Sequence, residues 1–311
     1  MSKILLFLLT TTVILSSCNV PDTRVQSSYL EDDDAPSKLD SYWYEGKAEV
    51  SSYQLIQNRY RDQHPGEVVL VFVTEDFLTD KQVKNDRYTN PNSAGILKTN
   101  KIKRFTTGIY DYSIMTSVFT PTDRKKYPNS LKATCASQDW CGQSFQQLNL
   151  KKNEYQSTLH SYFEEEADKI ASEDVAILED ELMNLIRMNP DLLPIGKFDM
   201  IPSLEYLRLR HKPFKAVSAS GNLEKYSGGE WTGSDLMSYR VTILGEKKEV
   251  EIVFENNVPY KIEGWKISYP SAFDGEMRET IARKKGEKYI PYWQQNSAKD
   301  AEARSELNML F

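Results

Sequence analysis

From Tyr42 to Tyr269 the chain is a succession of short stretches rich in β-branched and aromatic residues, each broken by turn residues. That rhythm restricts it to antiparallel sheet more than any other feature it carries. Ala48 to Tyr60 alternates through Val50, Tyr53 and Leu55, and Pro65-Gly66 reads as the following turn. Glu67 to Phe77 then holds the unbroken apolar run Val68 to Val73, which predicts a strand buried on both faces and places it at the centre of the sheet. Further strands are expected at Lys103 to Thr107, Tyr110 to Phe119, Leu131 to Cys135, Ser144 to Leu150 and Tyr155 to Phe163, with a long polar excursion between Asp80 and Asn100. The 18 tyrosines point the same way, because aromatic side chains suit half-buried sheet surfaces.

One segment has a helical period. Val175, Leu178, Leu182, Leu185 and Ile186 share a face, Ser172 stands as a cap and Pro190 as a stop, so a helix is expected over Glu173 to Asn189. Strand signals resume at Phe214 to Ser220, Met237 to Leu244, Glu249 to Phe254 and Tyr260 to Tyr269, and a short helix is expected between Ala298 and Leu310. The expected fold is mainly β, of the α+β kind: a large curved antiparallel sheet or half-barrel with one packed amphipathic helix. It would be continuous if the strands after the helix join those before it. The expected domain plan is residues 1–17 signal peptide, 18–40 lipidated cysteine and flexible tether, 41–295 globular β domain, and 296–311 tail.

The first 17 residues carry that plan. Met1-Ser2-Lys3, an apolar run from Ile4 to Leu15 and two small serines match the three regions of a secretory signal. The run falls short of the roughly 20 apolar residues a spanning helix needs. Leu15-Ser16-Ser17-Cys18 resembles the bacterial lipobox, which implies a diacylglycerol on the Cys18 sulfur, cleavage before it and acylation of the new amine. Several acyl chains hold a protein on a membrane where one does not. Asn19 in the next position, where Asp would retain the protein at the inner membrane, implies the outer membrane. The tether carries Pro21, Pro36 and the acidic run Glu31 to Asp34, whose repulsion extends it.

Net charge of -6 for the whole chain excludes a bulk attraction to nucleic acid, whose binding rests on neutralised phosphates. The basic runs Arg124-Lys125-Lys126, Arg208 to Lys212 and Arg283-Lys284-Lys285 read as solvated faces.

Six segments are similar to a group of envelope lipoproteins from Bacteroidetes-type bacteria that often carry the label septum formation inhibitor Maf. They are Tyr42 to Glu49, Val73 to Leu78, Thr107 to Tyr110, Trp140-Cys141-Gly142, His160 to Glu164 and Ile201 to Glu205. Proteins that are Maf by motif are α/β nucleotide pyrophosphatases with a Ser-x-Ser-Pro-Arg-Arg-type motif after the first strand. No Ser-Pro-Arg-Arg occurs here, so the resemblance transfers no catalytic residue, and a Maf-like pyrophosphatase stands only as an alternative suggested by the label.

No dinucleotide, P-loop, zincin or nucleophile-elbow motif is present, and the three histidines, His64, His160 and His211, form no close pair. No cofactor and no metal site is expected, although a helical reading of 160–168 would align His160, Glu164 and Asp168. With Cys18 lipidated, Cys135 and Cys141 remain, and in an oxidising envelope such a pair reads as a disulfide pinning a hairpin. The competing reading makes Cys141 a nucleophile with His160 or His211 as base. The residues therefore favour a membrane-anchored envelope lipoprotein with a non-enzymatic role, binding an apolar or envelope-derived ligand or a partner protein or serving structurally, with a Cys-dependent envelope hydrolase as the alternative.

Overall fold

The computed structural model describes residues 39–310, so the signal segment, Cys18 and most of the tether lie outside the described residues. The first half of the chain is a meander of β1 (Ala48–Arg59), β2 (Asp62–Leu78), β3 (Val83–Lys84), β4 (Ser93–Thr107), β5 (Tyr110–Pro121), β6 (Lys132–Asp139), β7 (Gly142–Lys151), β8 (Glu154–Ser161) and β9 (Lys169–Asp174). After β10 (Ile177–Leu178) come α1 (Leu182–Met188), β11 (Gly196–Ile201) and α2 (Leu204–Arg210). The chain returns through β12 (Val217–Lys225), β13 (Leu236–Ile243), β14 (Lys248–Glu255), β15 (Ile262–Pro270) and β16 (Met277–Ile290), and ends in α3 (Glu302–Glu306).

The 16 strands among the described residues form one open sheet, and its path runs from β10 through β16 to β1, β2 and β4, and on to β9, with β3 attached to β2. Every pairing is antiparallel except β10 with β11. The two halves meet where β16 pairs with β1, Ala48 opposite Ile290. The sequence signal missed β16 because it is written in charges, Arg283-Lys284-Lys285 among them. Neighbours on both sides hold its backbone, and Lys285 reaches Glu67 at 2.6 Å while Lys284 engages Glu263. That basic run is thus paired within the sheet, and Arg124 and Arg208 of the other two runs are buried, so the solvated-face reading holds for none of the three as a whole.

The expected Val68 to Val73 strand sits beside β1 at the middle of the path and is buried on both faces. Val68, Leu70 and Phe72 enter the main core, whereas Val71 and Val73 pack with Ala48, Val50 and Leu307, the residue after α3. Pro65-Gly66 is strand rather than turn, and the hairpin turns at Tyr60-Arg61 instead.

The helix over Glu173 to Asn189 shrinks to α1. Residues 173 and 174 belong to β9, paired with Tyr155 and Glu154 of β8, and a one-turn 3-10 segment at 179–181 precedes the helix. Edge pairing with β8 supplies backbone partners at once, whereas a helix must first form a costly nucleus. The expected apolar face does turn inward: Leu178, Leu182, Leu185 and Ile186 are all in the core and Val175 packs against it. Asn184 pins α1 to the sheet, donating to Leu97 O at 3.1 Å and Thr120 Oγ1 at 2.8 Å. A second helix, α2, lies against β5 and β6, where no helix was expected.

No helix among the described residues is long and apolar enough to cross a membrane.

Candidate functional site: a cleft beside the second helix

The interior that a half-barrel would offer to an apolar ligand is filled here. Core side chains from β1, β2, β4 to β8 and β10 to β16 close on α1 and α2, and the cavity left between them is about 50 Å³. Its walls set charged groups among apolar ones such as Val250, Ile252 and Trp265. Glu205 at the start of α2 accepts from Lys101 at 3.2 Å and from Lys103, which also donates to Gln57 Oε1 at 2.7 Å. Burial by itself would raise the Glu205 carboxyl, but the two ammonium groups hold it down at about 2. Asp180 has the opposite balance: burial lifts it to about 6 against the pull of Lys101 and of the Leu204 amide it accepts at 2.8 Å. These pairs lock α2 and the 179–181 turn onto the sheet. They leave no room for a ligand.

Open space lies further along the sheet. The inner face of β6 to β8 carries large residues at one end, Leu148 and Tyr155, and mostly small or polar ones towards the other, Cys135, Ser144, Gln146 and Ser157, with Leu159 beside them. Small side chains cannot span the gap to α2, and a cleft of about 340 Å³ results. Leu204, Leu207, Pro213 and Phe214 supply an apolar side, and Arg208, His211, Lys212, Lys169, Glu165 and Glu166 ring it with charge.

The charged ring is positioned by α2 and by the turn between β8 and β9. Ser203 caps α2, accepting from Tyr206 N at 3.3 Å, and His211 ends it in the left-handed region at φ 50°. From there His211 Nδ1 meets Glu166 Oε1 at 2.6 Å. Glu166 is fixed from its other oxygen by Ser161 Oγ. Arg208 projects one turn earlier with only 6% of its side chain exposed, its guanidinium 4.1 Å over the Phe163 ring. Glu166 and Asp139 stand 3.9 and 3.8 Å from its terminal nitrogens, and Nε and Nη1 make no hydrogen bond.

The sequence-derived candidates fare differently. Cys135 and Cys141 are both free, which corrects the expected disulfide. Cys135 faces Gln146 inside the hairpin, whereas Cys141 lies past its end, where Asp139 pairs with Gly142. Asp139 is four residue steps along β6 from Cys135, roughly 14 Å of rise, and a disulfide needs Cα atoms within about 7 Å. Nor does the fold assemble the Cys141–His160 pair. His160 lies opposite Phe145, four residues into β7 from Cys141, and its Nδ1 meets Asp168 at 3.4 Å on an exposed surface. Since 154–161 is a strand, the helical alignment of His160, Glu164 and Asp168 does not form, and the described residues contain no group of three or more metal-ligating side chains.

His211 was noted in the sequence, but Arg208, Glu166 and Lys169 were not seen as site residues. The available signal was Ser203 followed by Leu204, Leu207 and the basic end Arg208 to Lys212, a capped helix only two turns long. Fold and cleft together define a mainly β protein with a helix-filled open sheet and a charged pocket at one arm. No family model matches the chain, and none of the curated proteins matches it.

Proposed function

We propose that this chain is a lipid-anchored outer-membrane protein of the envelope that holds a small ligand in the cleft beside α2. The observation that carries the binding role is the change of side-chain size along the inner face of β6 to β8. A core is normally filled to crystal-like density, and here the filling stops where Cys135, Ser144 and Ser157 face α2 across about 340 Å³. Pockets that take small molecules combine an apolar wall with a few placed polar groups, and this cleft has both. The anchor rests on the Leu15 to Cys18 motif and on the signal pattern before it.

Native mass spectrometry of the full chain purified from its own membranes tests the binding role, and the expected result is a bound small molecule released on denaturation. A chain that carries nothing, and whose cleft residues respond to no small-molecule library, overturns it. Metabolic labelling with a clickable fatty acid tests the anchor: label is expected on the native chain and absent from Cys18→Ala.

A further inference from the structure

The cleft already contains a carboxylate, and it belongs to the protein. Glu166 comes from the turn between β8 and β9, reaches His211 Nδ1 at 2.6 Å and stands 3.9 Å from Arg208 Nη1. For the guanidinium this is a poor partner. A charge-assisted hydrogen bond from arginine to a carboxylate is shorter than 3 Å and commonly made through two nitrogens at once, yet Arg208 Nε and Nη1 are buried without any acceptor. A buried donor left unmade is costly, and such groups call for an explanation. Asp139 does not supply one: its Oδ2 lies 3.8 Å from Nη2, beyond hydrogen-bond reach, while its Oδ1 accepts the Cys141 amide at 2.7 Å. Lys212 is drawn away by Glu246 at 2.9 Å, and Lys169 donates to the Glu165 carbonyl at 2.6 Å.

We propose that the cleft selects small ligands bearing a carboxylate, which take the place of Glu166 against Arg208 and His211 while an apolar tail lies along Leu204, Leu207 and Phe214. This inference rests on the reading of the cleft as a binding site and adds the ligand class. Glu166 is then an internal stand-in: it faces Arg208 and His211 when the cleft is empty and swings out with its turn when a better-seated anion arrives. Arginine suits this role because its planar fork matches a carboxylate, and the Phe163 ring beneath it keeps the plane in position. The small hydroxyls of Ser144 and Ser157 on the opposite wall leave room for the ligand without competing in charge.

The test uses the full chain carrying Cys18→Ala, with hexanoate and the uncharged hexan-1-ol as probes, followed by calorimetry and by chemical shifts of cleft residues. Hexanoate is expected to bind more tightly than hexan-1-ol. Glu166→Gln is expected to tighten hexanoate on the order of tenfold, because a competing anion is gone, and Arg208→Gln to weaken it by at least roughly tenfold. A gain of affinity in Glu166→Gln cannot come from a misfolded chain, so the proposal remains testable if Arg208→Gln proves unstable. Equal binding of the two probes, or hexanoate affinity unchanged in Glu166→Gln, overturns carboxylate selection while the cleft stands as a binding site. Failure of both probes to move any cleft residue overturns the carboxylate proposal, and the binding reading is then decided by the native mass spectrometry and the wider library alone.

Discussion

Lys248 at the start of β14 donates to both carboxylate oxygens of Glu179 at 2.6 Å, with 0% and 5% of the two side chains exposed. The pair joins the turn that precedes α1 to the returning half of the sheet, and Glu179 also accepts the Ser203 amide at 3.0 Å, at the cap of α2. One buried carboxylate therefore ties both interior segments to the strand that faces them. A buried ion pair adds little over a well-packed apolar pair, but removing one partner strands a charge.

Lys248→Met is accordingly expected to destabilise the fold by about 3–5 kcal/mol, read as a lower urea midpoint at unchanged slope. Adding Glu179→Gln should recover part of the loss, because the neutral amide leaves no buried charge. A single-variant loss below about 1 kcal/mol, the scale of an exposed pair, contradicts the arrangement.

Asp180 predicts a pH dependence. Burial raises its carboxyl to about 6 from the ordinary 3.8, so the folded chain keeps this proton where the unfolded chain has released it. The stability attached to Asp180 is full below about pH 4, falls as pH rises and is lost above about pH 6. At 1.36 kcal/mol per pH unit the loss is about 3 kcal/mol. Asp180→Asn should remove that descent, seen as the difference between the two unfolding free energies measured from pH 4 to 7. Glu205, held at about 2 by Lys103 and Lys101, acts in the opposite sense: its contribution is present above its ordinary 4.5 and lost as pH falls towards 2.

The two described thiols should differ sharply in reactivity. Cys141 sits exposed at a hairpin tip, whereas Cys135 is buried and its thiol is pushed up to about 12 by burial, with Asp180 and Glu205 adding to the effect. Since the thiolate is the reactive form, iodoacetamide followed by peptide mapping should modify Cys141 in the native chain and Cys135 only after unfolding. Native labelling of Cys135 at the rate of Cys141 contradicts this placement.

Leu307 is 3% exposed and seals the outer face of the central strands against Val50, Val71 and Val73. Leu307→Ala should cost about 2–5 kcal/mol, as for other buried leucines, measured by urea unfolding. A change within 0.5 kcal/mol, typical of a surface site, would show that the segment after β16 leaves this face open.

Much of the sheet was legible because a strand's periodicity is local. The alternation in β1, the two-sided run in β2 and the four hydrophobic strands from β12 to β15 are written in consecutive residues. What failed were elements whose partners lie far away in sequence. The charges of β16 find β1 and Glu67 of β2 only after the chain returns, and Glu173-Asp174 read as a helix start until β8 was available to pair with them.

By itself the sequence determined a mainly β fold, a central strand between Val68 and Val73, the apolar face of α1 and the motif ending at Cys18. Only the tertiary structure decided that the sheet interior is filled, that Cys135 and Cys141 stay apart, and that Arg208, His211 and Glu166 surround one cleft. The physical reason is that side-chain period depends on the backbone a residue makes with its neighbours. A cleft depends on what fails to fill the space between two elements 45 residues apart in the case of Glu166 and His211, and no local pattern encodes that.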